Sequence, residues 1–333
     1  MARVVVVGGG VIGCAIAERL TRDQHEVVLL ERDQIGAHAS GAAAGLLAPH
    51  SELPGDDLGS RSAALFPELV ERIERASGVE VEYRQGETLA IAFEEADRLR
   101  GGRWLDATEA VALEAGLNPE LLGAALVRQS QVTPPRFVQA LARTAVAQGA
   151  EVRTGAPVAA FDLGGGRLQG VRLAAGRVPA DFIVLAAGPW TGDLAAQLDV
   201  EVGLVPRRGQ LVALRPAGLV LRRILVWGGF YAVPKPDGSV VVGSTEEEAG
   251  FDALPTAAGV EMLLEVAQQL VPALGTATVE RVWAALRPAT EDGRPLIGPV
   301  ESHGNLILAS GHNRNGILLA PATAELVAQL LRS

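Results

Sequence analysis

Three glycines near the start of the chain, Gly8-x-Gly10-x-x-Gly13, have the spacing of a phosphate cradle. In such a loop the first glycine permits a tight turn, the second lets the backbone approach a pyrophosphate, and the third lets a helix pack close to a strand. The start of that helix then offers unpaired N–H groups and a partial positive charge to phosphate. Glu31 stands roughly 20 residues further on, where an acid accepts hydrogen bonds from a ribose 2′-OH. A carboxylate there disfavours a 2′-phosphate, so NADP does not fit. The motif predicts a dinucleotide and leaves NAD and FAD both open.

The elements around the motif are the right ones. Residues 3–7, RVVVV, read as a buried parallel strand, and residues 11–22 have helical composition. A turn at Asp23-Gln24-His25 leads to a second strand, 26–30, which ends in Glu31. Together they make one βαβ unit. Cys14, inside the helix, reads as a small packing residue.

Further along, residues 37–50 are small and nearly uncharged, which suits a loop running close under a ligand. Helices are expected over 61–76, 106–116 with Asp106 as cap, 134–148, 256–274 and the C-terminal stretch to Leu331. Strands are expected at 79–81, 86–93, 124–127, 151–153, 158–163, 167–173, 181–187, 209–215, 224–233, 239–244, 279–286 and 306–310. Gly164-Gly165-Gly166 and Asp237-Gly238 are hairpin signals. Two more strand–glycine–helix junctions occur, at Gly188-Pro189-Trp190-Thr191 and at Gly311–Gly316. The α/β-like pieces lie at both ends and in the middle, with antiparallel-looking pieces between them. That order predicts interleaved domains rather than two domains in series.

Composition narrows the function classes. The 333 residues are 48% hydrophobic and 20% charged, with a formal net charge of −10, enough for a sizeable core. No long basic block is present, which argues against nucleic acid or an anionic membrane surface as partner. With one cysteine, neither a disulfide framework nor a cysteine metal cluster is possible within the chain. No signal-peptide pattern and no apolar run of membrane-spanning length occur, so a cytoplasmic location is expected. No Ser-His-Asp order or metal-ligand spacing emerges. His25, His38, His50 and His303 read as loop residues, and only His312 falls in a motif.

Five stretches carry a family resemblance: GGGVIGCAIA (8–17), ASGAAAGLLAP (39–49), VLAAGPWT (184–191), LRPATEDGRPLIGP (286–299) and GHNRNGILLAPATAE (311–325). Together they resemble the FAD-dependent amine oxidases of the D-amino-acid oxidase group, and within it the glycine oxidases of bacterial thiamine biosynthesis. The resemblance implies that the dinucleotide is FAD. It implies an α/β fold: a Rossmann-like FAD-binding domain with an interleaved substrate domain built on an antiparallel or mixed sheet. The expected FAD-binding domain comprises 1–80, 140–205 and 284–333, and the substrate domain 81–139 and 206–283. The residues agree, because a cofactor with an isoalloxazine ring needs more anchoring places than one junction provides. The last helix, starting near Gly316, could direct its positive end at the flavin.

By motif position, the resemblance places the AMP half and pyrophosphate on Gly8, Gly10, Val11, Ile12, Gly13, Glu31 and Arg32. Ser40, Gly41, Ala44, Gly45 and Leu46 would run along the phosphates and flavin. Val158 would offer backbone contacts near the adenine, and Gly188 would approach the cofactor; for Trp190, cofactor contact and core packing are both open. His312, Asn313, Arg314, Asn315, Gly316, Ile317 and Leu318 would wrap the flavin end. Arg287, at a strand end before Pro288, has the fork that grips a carboxylate, with a salt bridge to Glu291 or Asp292 as its alternative. Arg314 would lie near the same carboxylate or the flavin, or else face solvent. The Tyr231 hydroxyl would bind the carboxylate, or the ring would cover the core. Glu246 falls where the family's pocket is often apolar; it either attracts the substrate amine or belongs to a solvated acidic turn.

The implied reaction is oxidation of a small amino acid at the carbon bearing the amine. Arg287 anchors the carboxylate, hydride passes to non-covalent FAD, and O₂ is reduced to H₂O₂. For glycine, the imine is hydrolysed to glyoxylate and ammonia or serves the thiazole ring of thiamine. A homo-oligomer, dimer or tetramer, is expected from the family. Sarcosine oxidase, D-amino-acid oxidase and D-amino-acid dehydrogenase are the near alternatives, and a cysteinyl flavin tether in the C-terminal half is excluded. A non-catalytic flavin subunit or a tRNA-modification protein is the alternative of another class, disfavoured by the acidic charge and by Arg287.

Overall fold

The β-branched run RVVVV forms β1 (Arg3–Val7), whose Val4, Val5 and Val6 are fully buried. The computed structural model describes residues 1–48, 57–99 and 101–332; Pro49 and His50, at the end of the small-residue stretch, lie outside the described residues. After β1 come α1 (Val11–Arg22), β2 (Glu26–Leu30), α2 (Ala39–Ala42), β3 (Leu46–Leu47) and α3 (Leu58–Ser77). Then follow β4 (Arg84–Ala92), β5 (Arg103–Asp106), α4 (Ala107–Leu113), β6 (Gly123–Gln131) and α5 (Pro134–Ala147). The middle of the chain holds β7 (Glu151–Arg153), β8 (Ala160–Gly164), β9 (Arg167–Leu173), β10 (Gly176–Pro179), β11 (Phe182–Leu185) and α6 (Thr191–Ala196). Next are β12 (Leu204–Arg215), β13 (Ile224–Trp227), β14 (Phe230–Pro234), β15 (Val240–Gly243), β16 (Glu247–Glu248) and α7 (Ala257–Leu270). The chain closes with β17 (Thr278–Thr290), β18 (Leu296–Val300), β19 (His303–Ser310) and α8 (Gly316–Leu330).

The chain divides into two units, one of Met1–Val81, Val132–Arg207 and Leu286–Ser333, the other of Glu82–Gln131 and Arg208–Ala285. Residues 132–139 fall in the first unit, not with the intervening segment, because α5 starts at Pro134 and packs on α1 and α3.

The first unit is built on a six-stranded sheet in the order β18-β19-β11-β1-β2-β7. β19, β11, β1, β2 and β7 run parallel, and β18 adds an antiparallel edge. One face carries α1, α3, α5 and α8. The other is covered by the three-stranded sheet β10-β9-β8, whose Phe161, Leu168 and Val171 share a core with Val5, Ile183 and Leu306. Buried Asn305 fastens that layer: its Nδ2 donates to the carbonyls of Leu168 and Asp181 at 2.8 and 2.9 Å. Buried Glu18 on α1 holds Arg72 of α3 at 3.0 Å. Pro321 interrupts α8 with no N–H to give. There the Ser62 hydroxyl donates to Leu318 O at 2.6 Å and accepts from Ala322 N at 3.1 Å, so the ladder is closed from α3.

The second unit is a mixed sheet in the order β16-β12-β15-β14-β13-β4-β6, with β5 on β6. Its core joins Leu89, Ile91, Val212, Leu225 and Val242 to Leu263 and Leu270 of α7. A polar network built on buried Arg208, Gln210 and Thr245 holds the segment after β15. Arg208 donates to Glu247 Oε2 at 2.6 Å and to Asp252 at 3.1 Å, while Gln210 and Thr245 donate to Glu247 Oε1 at 2.7 and 2.5 Å. Burial alone would raise the Glu247 carboxyl, but the Thr245, Arg208 and Gln210 hydrogen bonds outweigh it and hold it below the usual range.

Several elements differ from their sequence reading. Residues 224–233 form two strands, because Gly228 and Gly229, both at positive φ, turn the chain between Trp227 and Phe230. Residues 79–81 are not a strand: the Val81 N–H is taken by the Glu74 carboxylate at 2.7 Å instead of a ladder partner. The expected 256–274 helix ends at Leu270 and gives way to a 3₁₀ turn, Pro272–Thr276. The small-residue stretch contains a helical turn, Ala39–Ala42. Among the described residues, no helix is long and apolar enough to cross a membrane.

Candidate dinucleotide site

Parallel strands β1, β11 and β19 are neighbours in the sheet, and each ends in a glycine junction. In open α/β sheets this edge, at the carboxyl ends of the parallel strands, is where ligands bind. The three junctions contact one another in a closed set. A Cβ on Gly8 would lie 2.3 Å from Ala186 O, so the first junction abuts the second. The Ser310 hydroxyl donates to Gly188 O at 3.0 Å, tying the second to the third. A Cβ on Gly316 would lie 3.8 Å from both His312 Cβ and Val11 Cγ1, which returns the third to the first.

The first junction is set from both sides. Gly8 sits at φ 113°, which favours glycine, and a Cβ on Gly13 would lie 1.9 Å from Gly8 O. Gly10 differs: a Cβ there would meet only Ser40 Oγ, at 3.2 Å. Gly9 N donates to Glu31 Oε2 at 2.6 Å, and Val11 N donates to Ser40 Oγ at 2.9 Å. Ile12 and Gly13 N–H find no acceptor among the described residues. Buried Cys14 donates its thiol to Gly9 O at 3.4 Å, and burial pushes its pKa up.

Glu31 is 7% exposed, and its two oxygens accept the amides of Gly9 and Asp33, the latter at 2.7 Å. Each oxygen retains a second acceptor direction, as a ribose hydroxyl requires. Beside it lies a cluster that the sequence motif does not contain. Asp33 Oδ2 accepts from Arg32 Nε at 3.0 Å and lies 2.7 Å from His38 Nε2, and the His38 contact holds the Asp33 carboxyl below its usual range. Arg32 stacks over Trp190, 3.7 Å from guanidinium carbon to ring centroid, and the His38 ring lies 4.7 Å from the same indole. Trp190 therefore joins the second junction to the Glu31 end of the first. Donor atoms of Glu31, Asp33 and His38 lie within 4.8 Å of one another, but the hydrogen bonds just described already engage them.

The remaining expected cofactor positions line the same unit. Gly41 N donates to Gly36 O, Ala44 is buried, and Gly45, at φ 86°, would bring a Cβ to 2.1 Å from Val132 O. Leu46 opens β3. Ala156 N donates to Glu31 O at 2.8 Å, which keeps the segment leading to Val158 beside the acid. Gly188, at φ 56°, faces open space. His312 is buried, Asn313–Asn315 form a 3₁₀ turn containing Arg314, and Ile317 and Leu318 lie buried in the first turn of α8.

Three buried side-chain atoms at these strand ends have no hydrogen-bond partner among the described residues: Thr191 Oγ1, His312 Nδ1 and Asn313 Oδ1. Thr88 Oγ1 and Gln129 Oε1 of the second unit are likewise unpartnered, but only the first three share one end of the parallel sheet, where a ligand could satisfy them together. With the open amides of α1 they suit a dinucleotide: phosphate at the helix start, ribose at Glu31, further polar atoms along β11 and β19. Thr191 and Thr323, the latter 3.0 Å from His312 Nε2, fall inside the quoted motif stretches but have no role assigned there, because neither threonine has a local pattern of its own that points to chemistry.

The residues expected to meet substrate occupy separate elements. Arg287 is half-buried on β17 and Arg314 is half-buried in the 3₁₀ turn. Their elements meet where a Gly311 Cβ would lie 2.8 Å from Thr290 Cγ2. Tyr231, half-buried on β14 of the second unit, pairs with Val226 and Gly243. Glu246 is exposed in the same unit.

Residues 3–330 match the FAD dependent oxidoreductase family. A glycine oxidase of Pseudomonas putida is 36% identical over 99% of this chain and 94% of its own length. The bifunctional protein ThiO/ThiG of Synechocystis is 37% identical over 98% of this chain and 51% of its own. Among solved structures, glycine oxidase from Geobacillus kaustophilus superposes with a TM-score of 0.94 at 31% identity, covering 100% of this chain and 95% of that one.

Proposed function

The chain belongs to the FAD dependent oxidoreductase family, and we propose that it oxidises glycine, or another small amino acid, to the imine. Water then converts the imine to the keto acid and ammonia, and O₂ takes up the electrons as H₂O₂. The observation that carries this reading is the closed set of three glycine junctions, within a chain that matches glycine oxidases over nearly its whole length. Bound FAD supplies the two-electron oxidant.

The protein's part is positioning. The Ile12 and Gly13 amides at the start of α1 receive the pyrophosphate. Glu31 receives the ribose, with Arg32 and the Val158 segment beside it. Ser40, Gly41, Ala44, Gly45, Leu46 and Gly188 line the path, and His312–Leu318 hold the far end. Arg287 pairs its two N–H groups with the substrate carboxylate and so orients the Cα–H bond, which removes much of the entropic barrier. Arg314, on the 3₁₀ turn beside the end of β17, adds positive charge near Arg287. No side-chain base is assigned; the site selects the neutral amine. The match to the bifunctional protein ThiO/ThiG supports delivery of the glycine imine to the thiazole ring of thiamine.

A peroxide-coupled assay on purified protein with added FAD tests this, comparing glycine, sarcosine, D-alanine and D-proline. Peroxide from glycine at kcat/KM equal to or above the others is expected. Preference for a bulkier D-amino acid would reassign the substrate, and flavin bleaching without peroxide would make the protein a dehydrogenase.

A further inference from the structure

His312 and Thr323 are 3% and 0% exposed, and among the described residues each side chain has the other as its hydrogen-bonding partner, Nε2 to Oγ1 at 3.0 Å. The direction of that bond follows from counting protons. If Nε2–H donated to Thr323, the threonine hydroxyl proton would lack an acceptor and Nδ1 would be a bare acceptor, leaving two buried groups unsatisfied. If the Thr323 hydroxyl donates to Nε2, only Nδ1–H is left, as a donor. Burial lowers the imidazole pKa to about 3, so the ring carries one proton and not two.

The position of His312 says which part of a ligand that donor meets. His312 follows β19, which is separated from β2 by β11 and β1. At about 4.8 Å per strand, the His312 end of the sheet edge lies roughly 14 Å from the Glu31 end. Glu31 has the chemistry for the adenosine ribose, and the start of α1, beside His312 through Gly316, has that for the pyrophosphate. The next group along the edge is the flavin half.

We propose that Thr323 is a positioning residue that fixes the tautomer of His312, so that Nδ1–H donates to an acceptor on the flavin half of the dinucleotide. The inference rests on flavin binding and is independent of the substrate assigned above.

The test uses the full chain labelled with ¹⁵N-histidine. Two-bond ¹H–¹⁵N spectra are recorded without and with FAD, with H312Q used to assign the ring. A neutral Nδ1–H tautomer whose Nδ1 resonance shifts on adding FAD is expected. In T323V that preference is lost and the FAD Kd, from flavin fluorescence, rises roughly fivefold; T323S restores both. An Nε2–H or doubly protonated ring in the loaded protein would overturn the proposal, as would T323V with the wild-type tautomer and Kd. Should T323V fail to fold, T323S decides, since the retained hydroxyl must keep the Nδ1–H form. Wild-type protein that binds no FAD would instead remove the flavin reading itself.

Discussion

Glu31 Oε2 accepts the backbone N–H of Gly9 at 2.6 Å, so the acid that ends β2 fixes the middle of the first glycine loop before any ligand arrives. The bond is charge-assisted and buried, which makes it stronger than a neutral one. Replacing Glu31 by Gln keeps the shape but removes the charge and turns one oxygen into a donor. A loss of about 1–2 kcal/mol in FAD binding, roughly tenfold in Kd, is expected. Titration of the FAD-free variant by flavin fluorescence measures it; an unchanged Kd would remove Glu31 from the cofactor site.

Gly13 and Gly10 belong to one motif but should fail differently. A Cβ on Gly13 collides with the Gly8 carbonyl, a backbone atom that cannot move aside cheaply. Gly13→Ala is expected to destabilise the FAD-free protein by about 1–3 kcal/mol. A Cβ on Gly10 meets only Ser40 Oγ, and Gly10 has an ordinary φ of −74°. Gly10→Ala should leave the melting temperature of the FAD-free protein within a degree or two while weakening FAD binding by about tenfold or more. Equal melting losses in both variants would mean that Gly10 serves packing and not ligand approach.

The contrast between these glycines marks how far the sequence could be read. Gly8, Gly10, Gly13 and Glu31 were legible because each residue type answers a local backbone or hydrogen-bond need within one βαβ unit. The junctions at Gly188 and Gly311 were legible for the same reason. Their mutual closure, Gly8 on Ala186 and Ser310 on Gly188, is tertiary and has no local pattern. His38 reads as a loop residue and Asp33 belongs to no motif; only the fold brings His38 onto Asp33 and Trp190. Short strands such as β5, β10 and β18 escaped because a few residues carry too little periodicity. Residues 79–81 had strand-like residues, but the Glu74 carboxylate captured the Val81 amide.

In the second unit, Arg208 is nearly buried and Glu247 only partly so, with 9% and 29% of their side chains exposed. Arg208→Met leaves Glu247 without its cation and should cost on the order of 3 kcal/mol. Glu247 also confers a pH dependence. Its folded pKa lies below the ordinary 4.5, so the stabilisation is present above that value and is lost as pH falls through the folded pKa. Melting curves of the FAD-free protein between pH 3 and 7 should show Glu247→Gln less stable than wild type at neutral pH, with a shallower acid decline. A decline as steep as wild type would place the acid sensitivity elsewhere.

Arg287 provides the sharpest kinetic prediction. A guanidinium holds a carboxylate in the ground state and in the transition state alike, so its loss should act mainly on KM. Arg287→Ala is expected to raise KM for glycine about 100-fold, equivalent to nearly 3 kcal/mol of a charged hydrogen-bonded contact, with kcat falling less than tenfold. Arg287→Lys separates charge from geometry. Lysine keeps the positive charge but not the planar fork, so KM should recover only in part, while the residual loss in kcat reports misaligned Cα–H. Steady-state peroxide assays on FAD-loaded protein read both parameters. If both variants kept the wild-type KM, the carboxylate would be held by another group, and Arg314, on the 3₁₀ turn beside the end of β17, would be the first to substitute.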